Sequence, residues 1–139
     1  MYDKYVLLVE DNDDDVTLTE MAFEKVKVSN RLEIVSDGQE ALDFLHYHGK
    51  YTDRAPVENP ALVLLDLKLP LVSGLDVLKE IRDNPMTRQI PVVVLTSSIE
   101  EKDRAEADRL GADDFIRKPT SYSSFIDVIQ QIKTKWLVR

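Results

Sequence analysis
Four short segments of this 139-residue chain each run into a residue with reactive or ligating chemistry. Glu10 and Asp11 follow residues 5–9, Asp66 follows 61–65, Thr96 follows 90–95, and Lys118 follows 114–117. Three carboxylates brought together repel, and gathering them is costly unless a cation neutralises them. Oxygen-only ligands favour a hard ion, and Mg²⁺ commonly takes one or two carboxylates together with waters and a phosphate. The Lys118 ammonium can hold a further anionic oxygen as a point charge, and the Thr96 hydroxyl can donate to another. The set is complementary to a phosphoryl group on or near Asp66. An aspartate nucleophile that forms an acyl phosphate is one form of covalent chemistry open to such a site.

Taken singly, each residue has a plainer reading. Asp13, Asp14 and Asp15 favour the positive end of a helix starting there. A threonine after a strand is ordinarily a turn residue, and a lysine before a proline is ordinarily solvated. Convergence on one edge is what carries the functional reading. His46 and His48 sit at a helix end far along the chain from that edge. They read as surface residues, which leaves no histidine placed as a general base.

The elements that must position these groups are legible as runs and periods. Residues 61–65 (Ala-Leu-Val-Leu-Leu) and 5–9 (Tyr-Val-Leu-Leu-Val) are unbroken apolar runs, the pattern of strands buried on both faces of a parallel sheet. Ligands of such sheets bind outside the carboxyl ends of the strands, where Asp66 falls. A helix is expected from the acids after Asn12 to about Val28, with Val16, Thr19, Ala22, Phe23 and Val26 on its core face. Leu18 and Met21 fall off that arc, either as stray surface apolars or as the edge of a docking patch. Residues 32–36 alternate as a second strand, and Asp37-Gly38 opens a helix carrying Ala41, Leu42 and Leu45. Residues 49–60, with Pro56 and Pro60, form an irregular connection at the long end of the usual range.

Gly74 precedes a third helix through Leu75, Leu78 and Ile81 that ends before Pro85. A fourth strand spans 90–95, and Ser98-Ile99-Glu100-Glu101 matches a capping box for a helix ending at Gly111. Residues 114–117 make a fifth strand, and Tyr122, Phe125, Ile129, Ile132 and Trp136 stripe a last helix. Five alternations of strand and helix argue for a doubly wound parallel α/β sheet. Right-handed crossovers then place every strand end on the same edge. Pattern alone does not give the strand order.

Bulk properties narrow the function classes. A chain of 139 residues, 43% hydrophobic and 32% charged, fits one compact domain. No apolar run approaches the ~20 residues needed to cross a bilayer, and residues 1–5 lack the regions of a signal peptide. The absence of cysteine agrees with a cytoplasmic home. A net charge of −8 argues against direct binding to nucleic acid or an anionic membrane.

With these residues in place, the chain resembles the receiver domain of two-component response regulators over essentially its whole length. The resemblance rests on Val9-Glu10-Asp11, Leu64-Leu65-Asp66 with Pro70 and Gly74, Leu95-Thr96, and Phe115-Ile116-Arg117-Lys118-Pro119. It implies a flavodoxin-like five-stranded sheet in order 2-1-3-4-5, with helices on both faces. By the same match Asp66 is expected as the phosphoacceptor, and Glu10 and Asp11 as the acid pair for Mg²⁺. Thr96 is expected as the switch hydroxyl, Lys118 as the site lysine and Phe115 as the rotating aromatic. A third metal contact is implied at the backbone carbonyl of Lys68, whose cationic side chain stands to alter how quickly water reaches an acyl phosphate. The long 49–60 connection and the ending Lys135-Trp136-Leu137 resemble stand-alone regulators paired with bacterial phytochromes.

The expected function is therefore phosphorelay signalling by a single receiver domain, residues 1–139, with no output domain. Its expected partner is a sensor histidine kinase, a bacterial phytochrome in the narrower match. Homodimerisation through the last-helix face is expected from Trp136, Leu137 and Val138, unless those residues merely finish the core. The role is that of a phosphoacceptor rather than an enzyme acting on small substrates. The rival is a Mg²⁺-dependent phosphohydrolase working through an aspartyl phosphate; such enzymes commonly place a second aspartate where this chain has Lys68. A non-phosphorylated binding module is the other rival, and it would lack an acceptor, acid pair or lysine.

Overall fold
The computed structural model of the protein describes residues 4–54 and 59–137. Expectations that touch residues 1–3, Pro56 and Val138 lie outside the described residues. Strands β1 (Val6–Val9), β2 (Leu32–Val35), β3 (Leu62–Leu65), β4 (Val92–Thr96) and β5 (Asp114–Arg117) form one all-parallel sheet in the order β2-β1-β3-β4-β5. Helices α1 (Asp13–Lys25), α2 (Gly38–His46), α3 (Gly74–Asp83), α4 (Glu101–Arg109) and α5 (Tyr122–Ile132) alternate with them. A 3₁₀ turn at Gly49–Tyr51 and a π-helical turn at Lys133–Leu137 complete the described elements.

The unbroken apolar runs have a simple cause. Successive strand residues point to opposite faces, and both faces are covered. Leu7, Val9, Val63, Leu65, Val92 and Val94 pack with Ala41, Phe44 and Leu45 of α2 and Val77, Leu78 and Ile81 of α3. Val6, Leu8, Leu62, Leu64, Val93 and Leu95 pack with Ala22 and Phe23 of α1 and Phe125, Ile129 and Ile132 of α5. Each buried leucine of β3 contributes roughly 2 kcal/mol relative to an exposed one, and the strand is paired on both edges, with β1 and β4.

Several boundaries differ from the sequence expectation. α1 stops at Lys25 rather than near Val28, because Lys27 takes the left-handed conformation with φ 60°. β4 starts at Val92, just after Pro91, which has no amide to give the ladder. The expected capping box at Ser98 does not form. Glu100 occupies the N-cap of α4 with no side-chain cap bond, and α4 begins at Glu101. Ser98 is held at the sheet edge instead: its amide donates to Thr96 Oγ1 (3.3 Å) and its hydroxyl donates to Asp103 (2.6 Å). Tyr122 opens α5 and is exposed rather than part of the apolar stripe, whereas Trp136 and Leu137 are half-buried against the α1–α5 layer. Leu18 is half-buried on that layer, and Met21 is exposed.

Gly74 fixes the loop that carries Asp66. A Cβ at this position would lie 2.2 Å from the Asp66 carbonyl oxygen and 2.5 Å from Leu67 Cα. The first turn of α3 therefore rests directly on the backbone of Asp66. Gly74→Ala is expected to cost about 2 kcal/mol of stability, the range of overpacked cores. Urea unfolding checks this, with the loss appearing as a lowered midpoint at unchanged slope.

Candidate functional site
The sheet ladder continues one residue past the strand ends and so fixes the backbone of the site. The Glu10 amide donates to Val35 (3.0 Å), the Asp66 amide to Val9 (3.1 Å) and the Lys118 amide to Thr96 (2.8 Å). Side chains from four strands consequently meet on one edge. Asp66 is 6% exposed. Its Oδ1 accepts from the Thr96 hydroxyl (2.9 Å) and the Lys68 amide (3.3 Å), and its Oδ2 accepts from Lys118 Nζ (3.2 Å). Glu10 is buried and both its oxygens are engaged, Oε1 by Lys118 Nζ (2.5 Å) and Oε2 by the Asn12 amide (3.2 Å). Asp11 is exposed at the rim.

The sequence reading missed one member. Asp15 Oδ2 accepts from Lys118 Nζ at 2.9 Å, a role beyond the helix-end stabilisation assigned to the three consecutive acids. The signal was available: Asp15 shares the i, i+4, i+7 arc with Thr19 and Ala22, both buried. Asn12 is the other unread residue. Its Oδ1 caps α1 by accepting from the Asp15 amide (3.0 Å).

The charge balance of this edge is uneven. Glu10, Asp11, Asp15 and Asp66 set four carboxylates against the single ammonium of Lys118. Unit charges about 4 Å apart still interact by roughly 4 kcal/mol at an effective dielectric near 20. Burial pushes the Glu10 carboxyl up, to about 7, against the lowering from the Lys118 ammonium beside it. At Lys118 burial works downward, but the carboxylates of Glu10, Asp15 and Asp66 outweigh it and hold the ammonium well above the ordinary lysine range. Glu10, Asp11 and Asp66 each offer an oxygen, and these oxygens lie within 4.8 Å of one another. An all-oxygen set with excess negative charge suits a hard divalent cation.

The remaining expected residues fall nearby but not in the cluster. Lys68 turns its side chain to solvent while its amide faces Asp66. Phe115 on β5 is half-buried, and the Arg104 guanidinium of α4 lies 5.6 Å from its ring centroid. Thr96, by contrast, belongs to the cluster, since its hydroxyl donates to Asp66. His48 is exposed as expected, whereas His46 is half-buried and its Nε2 is buried without a hydrogen-bond partner. Neither belongs to the cluster.

Comparison with known proteins accords with this geometry. The family model described as "response regulator receiver domain" matches residues 6–130. The chain is 37% identical over 134 residues to response regulator Rcp1 of Synechocystis, covering 96% of this chain and 89% of Rcp1. The structure of the phosphorylated cyanobacterial phytochrome response regulator RcpA superposes with a TM-score of 0.89 at 36% identity, covering 97% of this chain and 94% of that one. The bacteriophytochrome response regulator RtBRR is 43% identical with a TM-score of 0.81, covering all of this chain (100%) and 82% of that one. A solved form of Rcp1 is Mn²⁺-bound. Nothing in these matches supports a phosphohydrolase. No described helix is long and apolar enough to cross a membrane. The five-stranded order 2-1-3-4-5, the acidic edge built around Asp66 and the match over 6–130 lead to one conclusion: this chain belongs to the response regulator receiver domain family.

Proposed function
We propose that this protein takes a phosphoryl group onto Asp66 from the phosphohistidine of a sensor histidine kinase, and converts that charge into a changed α4–β5–α5 surface. The observation that carries this reading is the hold on Asp66, with one oxygen engaged by Thr96 and the other by Lys118. Such a carboxylate is buried, oriented and close to an ammonium, which favours attack on an anionic phosphoryl group. In the transfer an Asp66 oxygen forms a bond to phosphorus while the phosphorus–nitrogen bond breaks. The imidazole leaves with the electron pair and takes its proton from solvent.

Glu10, Asp11, Asp66 and the backbone carbonyl of Lys68 would hold Mg²⁺. When bound, that ion neutralises charge on the transferring oxygens. Thr96 then passes its hydrogen bond from Asp66 to a phosphoryl oxygen, and the shift at the end of β4 reaches α4 and Phe115. A local change in charge biasing a two-state surface is the ordinary logic of such a switch. The signal leaves by protein contact at the changed α4–β5–α5 surface. A bacterial phytochrome is the favoured kinase, because the relatives above include response regulators of phytochromes. A cytoplasmic site of action follows from that partnership. Homodimerisation through the α5 face is supported by Tyr122, which is 44% exposed on it.

Three outcomes are expected. Beryllofluoride with Mg²⁺ changes the amide spectrum of α4 and β5 in wild type and leaves Asp66→Asn unchanged; an equal response in both removes Asp66 from the mechanism. Mg²⁺ competes with the proton on Glu10, whose pKa lies at about 7. Below that value the carboxyl is increasingly protonated, so apparent Mg²⁺ affinity falls roughly tenfold from pH 8 to pH 6. Titration calorimetry reads this, and Glu10→Gln flattens the profile. Sedimentation over a concentration series should show a dimer on loading with beryllofluoride, and a monomer throughout ends the dimer proposal.

A further inference from the structure
The hydrogen-bond capacity of Lys118 is fully used. An ammonium has three N–H donors and no more. In this structure they go to Glu10 Oε1 at 2.5 Å, Asp15 Oδ2 at 2.9 Å and Asp66 Oδ2 at 3.2 Å. A phosphoryl oxygen arriving on Asp66 can bond to Lys118 only after one carboxylate gives up its donor. The three differ in what else holds them. Glu10 is 3% exposed and its second oxygen accepts the Asn12 amide, so leaving Lys118 would strand a desolvated charge. Asp66 takes the incoming group on one oxygen, and with attack from the Thr96-side Oδ1 its Oδ2 remains a carbonyl acceptor for Lys118. The Asp15 side chain is 35% exposed and stands in the first turn of α1, where it can turn to water and still face the positive helix end.

We propose that Asp15 is a positioning residue that parks Lys118 in the unphosphorylated site and is the carboxylate that yields it to the phosphoryl group. This rests on the reading of Asp66 as acceptor. Only the side chain needs to move. The Asp15 amide is fixed by Asn12 Oδ1 (3.0 Å) and its carbonyl accepts the Thr19 hydroxyl (2.8 Å), neither of which involves the carboxylate. Parking has two consequences. Lys118 is held beside Asp66 before any phosphoryl donor arrives, and the parked bond must be broken for the phosphorylated state to form. Asp15 therefore competes with the phosphoryl group for the same donor and biases the site towards its unmodified form.

The test uses the full chain with Mg²⁺ and acetyl phosphate or beryllofluoride. Asp15→Asn keeps the shape and the cap while weakening the competing acceptor. Asp14→Asn removes the same charge from the same turn at an exposed residue that is not among the ion-pair partners of Lys118 within the described residues. Asp15→Asn is expected to accelerate Asp66 phosphorylation about fivefold, the net worth of roughly one ordinary hydrogen bond, since Asn keeps an acceptor but loses the charge. Asp14→Asn should stay within about twofold of wild type, the size of a screened surface effect. Equal acceleration by both variants would reduce Asp15 to general electrostatics and overturn the proposal, as would slower phosphorylation in Asp15→Asn.

A spectroscopic readout tests the exchange in wild type itself. The Asp15 carboxyl carbon should shift between the Mg²⁺ form and the Mg²⁺–beryllofluoride form. The Lys118 Nζ signals of wild type and Asp15→Asn should differ in the first form and coincide in the second. An Asp15 carbon that stays put, or Nζ signals that remain apart, shows the contact persisting and refutes the exchange. If wild type shows no Asp66-dependent response to beryllofluoride, the acceptor reading itself fails and takes this one with it. With that response intact, the variants judge Asp15 alone.

Discussion
The ammonium of Lys118 is the interaction on which the rest of this structure depends. It draws together Glu10 from the end of β1, Asp66 from β3 and Asp15 from α1, groups that would otherwise repel. One positive charge does not balance them, and Asp11 stands at the rim as a further acid. The edge is thus left short of cations, which is the physical basis for its suitability for a metal ion and for reactions that move phosphate. Removing Lys118 would leave buried carboxylates facing one another, a change whose cost is ordinarily several kcal/mol.

That arrangement is affordable because the sheet beneath it is held so firmly. Both faces of β1 and β3 are covered by helices, so the strands have little freedom to spread when acids crowd their ends. Gly74 presses α3 onto the Asp66 backbone. At the opposite end of the sheet, Arg82 of α3 donates to the carbonyls of Gly111, Arg88 and Ile90 and to Asp113, tying α3 to the starts of β4 and β5. The start of α4 is held more lightly. It has no side-chain cap, and its link to the site is the chain of bonds from Asp66 through Thr96 and Ser98 to Asp103. Rigidity at one end of α4 and a short polar tether at the other place the capacity for change next to Asp66.

Much of this was legible in the residues because burial on both faces leaves a strong mark. The runs ending at Asp66 and Glu10, the strand at 114–117 and the glycine that opens α3 follow from hydrophobic period and turn chemistry alone. Strand order needed a family resemblance, since parallel pairing leaves no local signature. Polar contacts across the site were less readable. Asp15 looked like one of three interchangeable acids, and only its place on the buried arc of α1 distinguishes it. Ser98 matched a helix cap by spacing, yet tertiary hydrogen bonds to Thr96 and Asp103 hold it at the sheet edge instead. His46 read as a surface residue because a short helix end gives no warning of what packs over it.

The most direct test of Asp66 as the reactive centre is residue-specific trapping of the acyl phosphate. Protein incubated with Mg²⁺ and acetyl phosphate is reduced with borohydride, which converts an aspartyl phosphate to homoserine, and the peptides are sequenced by mass spectrometry. The account predicts homoserine at position 66 and at no other aspartate. Homoserine at Asp11 or Asp15, or unmodified Asp66 after full exposure to the donor, would contradict it.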